Sequence, residues 1–344
     1  MEKPLDLRPS PQITKVRLEG ITVMKVIKHC HDNFPMTVMG QLLGMDVDDT
    51  LEITNCYPFM SQPTTTAETG HDGTDLSSFE KEQQQHQRDM MWCVREVNID
   101  HQVVGWYQST GSQMGSFLSP QWIETQYNYQ NHLGNIVCLI YDPIRTEEGL
   151  LSIHAYRLTK HFMELMRKGD FTSLGFSNTD VLANSIIEEV PIALHNSSLI
   201  NAALVELDQA EEFSGENDVE LARLSIGDKP VLEQSMEFLI CELDTLGKEQ
   251  SKYSYFMRNL VRSHGQVIEK MRKRRAENKK RDANGEEPLP DEEDVIQMFE
   301  KEPARLECKV LLKDLDSYVE SIKSLASEGI VKQYGVSAVQ AGDE

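Results

Sequence analysis

The sequence predicts an α+β fold: a mixed β-sheet flanked by helices, then long C-terminal helices that form a hairpin or bundle. Three observations carry this. Short strand-like runs are concentrated before about residue 158 and are interleaved with helical patterns. From Leu232 the apolar residues change to heptad spacing: Leu232, Met236, Leu239, Leu243, Leu246, Tyr253, Met257 and Leu260, with Gln250 holding the seam position between Leu246 and Tyr253. No proline falls between Pro230 and Pro288 to interrupt such a helix.

The elements follow in order. Residues 12–19 alternate apolar and polar and predict a strand, punctuated by Gly20. Residues 21–31 predict a helix with Val23, Val26 and Ile27 on one side. Residues 38–45 and 51–59 predict two strands joined by a turn rich in aspartate. Residues 61–78 are polar and read as a surface insertion. Residues 79–96, rich in Glu, Gln, Met and Arg, predict a helix. A strand over 100–107, a helix over 120–132 and a short buried strand over 136–141 come next. Asp142-Pro143 opens a hairpin that returns over 150–158. A last strand over 187–194 contains Pro191, which predicts an edge position, and a helix over 199–211 follows.

A helix over 232–271 is about 60 Å long. Gly247 and Gly265 weaken it by about 1 kcal/mol each, so packing must offset them. Residues 284–291 break the helix, and a second seam follows at Leu311, Leu315, Tyr318, Ile322 and Leu325. Two such helices fit an antiparallel hairpin, packed on their own domain or on other chains. The expected organisation is a flexible N-terminus (1–11), a sheet domain (12–160), its C-terminal extension (161–226), a heptad helix (227–281), an acidic proline-containing linker (282–305), a C-terminal helix (306–334) and a tail (335–344).

The chain has 344 residues and a net charge of −22, which argues against nucleic-acid binding through a wide basic face. None of the six cysteines lies in a Cys-x-x-Cys pair, the usage of a reduced compartment. No apolar run is long enough for a membrane span and the N-terminus has no apolar signal core, so a cytoplasmic location is expected. Charge is uneven: Lys270, Arg272, Lys273, Arg274, Arg275, Lys279, Lys280 and Arg281 share one short run with a single acid, Glu277. That run reads as an RNA contact, as a contact for an acidic partner, or as a solvated helix end; it has no aromatic residue for base stacking.

Gly105-Trp106-Tyr107-Gln108-Ser109-Thr110 resembles the zinc-binding turn of metal-dependent isopeptidases. Active members of that fold carry Gly-Trp-Tyr-His-Ser-His-Pro, then an aspartate ligand, with a glutamate base before an earlier Val-Met-Gly. A catalytic zinc needs three protein ligands and an open position for the water that a carboxylate deprotonates. Transferred residue by residue, the two histidines fall at Gln108 and Thr110, the proline at Gly111, the aspartate at Trp122 and the glutamate at Thr37. All four chemical roles are empty. His29, His31 and His101 do not supply a substitute set.

Further words extend the resemblance: Lys25 to His29, Leu51 to Cys56, Val97 to His101, Val137 to Pro143, Ala155 to Thr159 and Gly285 to Pro290. With the Gly-Trp-Tyr-Gln-Ser-Thr word, the chain resembles the h-subunit family of eukaryotic translation initiation factor 3, a non-catalytic branch of the MPN domain family. The resemblance implies the MPN fold, with its cytidine-deaminase-like mixed sheet. It implies no metal and no cofactor, membership of the multi-subunit factor on the small ribosomal subunit, pairing with the MPN domain of the f subunit, and C-terminal helices bundled with PCI-domain subunits, with messenger or ribosomal RNA nearby. The other readings are an MPN scaffold of the proteasome lid or COP9 signalosome, and a zinc-dependent deubiquitinase.

Overall fold

The computed structural model describes residues 13–60, 74–111, 116–147, 151–179, 181–182, 185–211, 230–284 and 302–342. Among the described residues eight strands form one mixed sheet: β1 (Lys15–Glu19), β2 (Met39–Val47), β3 (Thr50–Pro58), β4 (Gln102–Ser109), β5 (Val137–Tyr141), β6 (Ile153–Leu158), β7 (Ile187–Val190) and β8 (Ile192–His195), in the order β7-β6-β5-β4-β2-β3-β1-β8. Helices α1 (Gly20–Asp32), α2 (Thr74–Glu96), α3 (Pro120–Leu133), α4 (Pro143–Glu147), α5 (Lys160–Lys168), α6 (Ser173–Asn178) and α7 (Ser198–Glu211) lie between and after the strands. Two long helices, α8 (Pro230–Asn284) and α9 (Leu306–Gly342), follow.

Every residue of β5 is buried, because helices cover both of its faces. One face packs on α1, whose Val23, Val26 and Cys30 recur at helical spacing and meet Leu42, Ile53, Tyr107 and Leu139. The other face packs on α3, α5 and α6 through Trp106, Ile123, Leu158, Phe162 and Phe176. Strand β4 sits between β2 and β5 and needs glycine at Gly105, where a Cβ would lie 2.2 Å from the Val137 carbonyl oxygen.

The run over 187–194 does lie at the ends of the strand order, but as two strands where one was expected. Pro191 has no N–H for a ladder and divides the run. Its first half, β7, pairs with β6 (Ala155 opposite Val190), and its second half, β8, pairs in parallel with β1 (Val16 opposite Ile192). The Pro191 carbonyl still accepts from the Val16 N–H at 2.9 Å. One continuous run therefore bridges the two ends of the strand order, and the sheet is curled. Asn196, just beyond it, accepts from the Gly20 N–H at 3.1 Å and ties the run to the start of α1.

Other boundaries differ. Helix α2 starts at Thr74, inside the stretch read as an insertion; Gln87 anchors its middle by donating to the buried Gln41, which also accepts from Tyr57. The hairpin after Asp142 contains the helical turn α4, because the Asp142 carboxylate accepts from the Ile144 and Arg145 N–H groups. Helices α5 and α6 have no counterpart among the elements that the sequence predicts. Helix α9 runs through the expected tail to Gly342. The N-terminus 1–11, most of the insertion 61–78 and most of the linker 282–305 lie outside the described residues.

Helices α8 and α9 are antiparallel. Phe238 stacks on Tyr318 at one end of the contact, and Arg305 lies 3.6 Å above the Tyr253 ring at the other. The contact line on α8 runs along Ser235, Phe238, Thr245, Glu249 and Tyr253, one flank of the heptad seam. Leu232, Leu239, Leu246, Tyr253 and Leu260 are thus half-buried, whereas Met236, Leu243 and Met257 on the other flank are exposed. On α9, Leu315 and Tyr318 are buried and Leu311, Ile322 and Leu325 half-buried.

Helix α9 also packs on the sheet domain. Val310 joins the cluster around Phe176, and the Arg305 N–H donates to the Phe171 carbonyl. Ser116 donates to the buried Asp314 carboxylate at 3.2 Å. The Asp314 pKa is raised from about 3.8 to about 7, chiefly by burial and with a smaller contribution from Glu242, against the opposing effects of the Ser116 hydrogen bond and Lys313. The folded state therefore binds this proton more tightly than the unfolded chain does. Its destabilising contribution is absent below about pH 4, grows as pH rises toward 7, and is constant above that. Asp314→Asn is expected to flatten the fall in stability between pH 5 and pH 7, read from urea denaturation, by about 1 kcal/mol or more. Unchanged pH dependence in the variant contradicts this account.

Candidate functional site

The residues that the isopeptidase resemblance singles out lie just before β2 (Thr37), at the C-terminal end of β4 (Gln108 and Thr110) and at the N-terminal end of α3 (Trp122). Alternation along β4 directs Trp106 and Gln108 toward the α3 side, and Tyr107 and Ser109 toward α1. Gln108 is half-buried between Met39 of β2 and Ile140 of β5. Thr110 is buried; its N–H donates to the Tyr141 carbonyl at 3.1 Å, and its hydroxyl has no hydrogen-bond partner among the described residues. Ser109 braces the turn: its hydroxyl accepts from the Val38 N–H at 3.0 Å, and its own N–H donates to the Val38 carbonyl.

That bracing brings the segment carrying Thr37 against the turn. Thr37 is exposed. At Gly111 a Cβ would lie 2.9 Å from both the Pro35 carbonyl oxygen and the Thr37 hydroxyl oxygen. Gly111 has φ +62°, a left-handed conformation that proline, locked near −65°, cannot adopt. The chain therefore leaves β4 along a path closed to the Gly-Trp-Tyr-His-Ser-His-Pro turn.

Trp122 has another place. Ser119 caps α3 by accepting from the Trp122 N–H at 3.1 Å, and Pro120 opens the helix. The Trp122 indole is buried between Trp106 and Phe117, with ring centroids 6.1 and 5.4 Å away. Its N–H has no oxygen or nitrogen partner among the described residues and faces the Cys138 thiol, whose pKa burial raises well above the ordinary range. Gln108 and Thr110 thus sit at the end of β4 with the Thr37 segment held against them, and Trp122 fills the adjoining aromatic layer.

The donor chemistry does not fit a catalytic zinc. An amide, an isolated buried hydroxyl and an indole offer neither three good ligands nor a carboxylate base. Among the described residues no three His, Cys, Asp or Glu side chains are grouped to hold a metal. His29 is half-buried and bonded through Nδ1 to the Tyr107 hydroxyl at 2.9 Å; desolvation lowers its pKa, against a smaller opposing effect of Asp32. His31 and His101 are exposed.

The residue that organises this region was not singled out from sequence. Gln126 is fully buried; it accepts from the Trp106 indole at 2.6 Å and donates to Gln130 and to the Ile136 carbonyl. Gln130 in turn exchanges two hydrogen bonds with the Leu158 backbone. Two glutamines four apart on the inner side of a helix are a faint signal of such a network, since buried amides need partners.

A family model described as JAB1/Mov34/MPN/PAD-1 ubiquitin protease matches residues 11–135, and one described as the C-terminal region of eIF3h matches residues 146–344. The chain is 38% identical over 333 residues to the H subunit of eukaryotic translation initiation factor 3 from Arabidopsis thaliana, covering 96% of this chain and 94% of that one. It is 36% identical to the H-B form of that subunit from Danio rerio, over 95% and 94% of the two chains. With the Nematostella vectensis counterpart it shares 35%, over 96% of each.

Proposed function

The chain belongs to the H-subunit family of eukaryotic translation initiation factor 3, and from that premise we propose that it works as a non-catalytic structural component of the factor. It supports assembly of the preinitiation complex on the small ribosomal subunit and the recruitment of messenger RNA. The observation that carries the non-catalytic reading is the Trp122 indole, packed where the resemblance places a metal ligand. No helix among the described residues is long and apolar enough to cross a membrane.

Two surfaces support a scaffold. Ile21 and Met24 on α1 and Leu199, Val205 and Leu207 on α7 are exposed, and the two helices start beside each other where Gly20 meets Asn196. This apolar surface suits pairing with the MPN domain of the f subunit. The exposed flank of the α8 seam suits further helices, for which the PCI-domain subunits are the proposed source.

Affinity purification of the tagged full chain from its own cells, with mass spectrometry and zinc analysis, tests the proposal. Recovery of the other factor 3 subunits with zinc far below one per chain is expected. Recovery of proteasome-lid or signalosome subunits instead overturns the assignment, and one zinc per chain with cleavage of a ubiquitin chain overturns the non-catalytic reading.

A further inference from the structure

We infer that the far end of α8 is a sequence-independent contact for RNA phosphates, made by Arg272, Arg275 and Lys279 with Lys273 and Lys280 beside them. All five are exposed. At 3.6 residues per turn, Arg272, Arg275 and Lys279 fall within about 60° of one another around the helix. Val267, Arg274, Asn278 and Arg281, which are buried or half-buried, fall on the opposite side. Arg272, Arg275 and Lys279 thus form a ladder directed to solvent, with Lys273 beside it paired to Glu269 at 2.8 Å. Tyr253, where the α8–α9 contact ends, is about 33 Å back along the helix from Arg275, several Debye lengths at physiological salt.

The neighbouring stretch of the same face decides between polyanions. Met236, Ile240, Leu243, Met257, Val261, Ile268 and Met271 are exposed and follow this face along α8. Beyond Met271 it changes character: residues 272–281 contain no apolar side chain larger than Ala276. A protein helix lying there has no apolar area to bury and gains only exposed ion pairs, each worth about 0–1 kcal/mol. A nucleic-acid strand gains more from the same cations, because each neutralised phosphate releases condensed counterions. With no aromatic in the run, contact is to the backbone and carries no base preference. This inference rests on α8 and its exposed face, independent of which complex the chain joins.

Fluorescence anisotropy of the full chain with a labelled mixed-sequence single-stranded RNA of ~20 nucleotides, across a salt series, tests it. The variant R272Q/R275Q/K279Q is compared with K160Q/R167Q/K168Q, which removes the same charge from exposed positions on α5. The α8 variant is expected to bind at least about tenfold more weakly near 0.1 M salt, with a log–log salt slope smaller by about 2, the value of three single-strand phosphate contacts. Circular dichroism and recovery of the other factor 3 subunits should be unchanged, which separates this result from failure of the scaffold reading. Equal RNA affinity for the two variants overturns the inference. So does binding of a polyglutamate peptide that the α8 variant loses while RNA binding persists, since that assigns the ladder to an acidic protein.

Discussion

Trp122→Asp, which supplies the residue that the zinc motif calls for, is expected to unfold the sheet domain and to recruit no metal. Losing the indole costs about 3–5 kcal/mol, as for other buried Trp truncations. The new carboxylate would then face Trp106, Phe117 and Cys138, none of which compensates a buried charge. The total approaches the ~5–15 kcal/mol that holds a typical domain together. Adding Gln108→His and Thr110→His does not rescue it, because Gly111 at φ +62° directs the turn away from the proline path. Urea denaturation with zinc analysis checks this: a midpoint within error of wild type, or stoichiometric zinc in the triple variant, is the contrary result. Trp122→Phe keeps most of the aromatic packing and should lose less than the aspartate variant.

The second large effect separates the two flanks of the α8 seam. Met236, Leu243 and Met257 are 46%, 49% and 40% exposed, so changing all three to serine should alter the stability of the isolated chain by only about 0.5 kcal/mol per site. Recovery of the other factor 3 subunits with that variant is nonetheless expected to fall at least about tenfold, the equivalent of losing ~1.4 kcal/mol of interface energy. Leu239 and Leu246 lie on the flank that meets α9. Serine at both should loosen the α8–α9 hairpin itself, seen as faster amide exchange in α9 and a lower thermal midpoint. Full recovery of the complex with the first variant, or an unaltered hairpin with the second, removes the assignment of one flank to partners and the other to α9.

The mixed sheet with flanking helices and two long C-terminal helices was legible because periodicity reports which faces are buried. Runs such as Val137–Tyr141 and the heptads after Leu232 leave little ambiguity. Helices α5 and α6 escaped because they are nine and six residues long, too short for a pattern to accumulate. Two-state periodicity also cannot say that Ile187–Val190 and Ile192–His195 pair with strands at opposite ends of the order; that is decided by partners far away in sequence. The heptad seam was visible as a pattern, but which flank meets α9 depends on where Phe238 and Tyr318 meet. At the site the residue identities were legible from Gly105 to Thr110. The left-handed Gly111 and the Gln126 network were not, since a backbone angle and a buried amide's partners exist only in the folded chain.

The bridging run has a consequence in time. Gly20 bonds to Asn196 across 176 residues, and β1 has no β8 neighbour until that distance of chain has been made. At ~5–20 residues per second, a ribosome needs roughly 10–35 s to synthesise the interval, during which the outer side of β1 waits unpaired. Curling of the sheet is therefore among the last steps of its synthesis, and a nascent chain halted before Ile192 presents an open strand edge to whatever attends it.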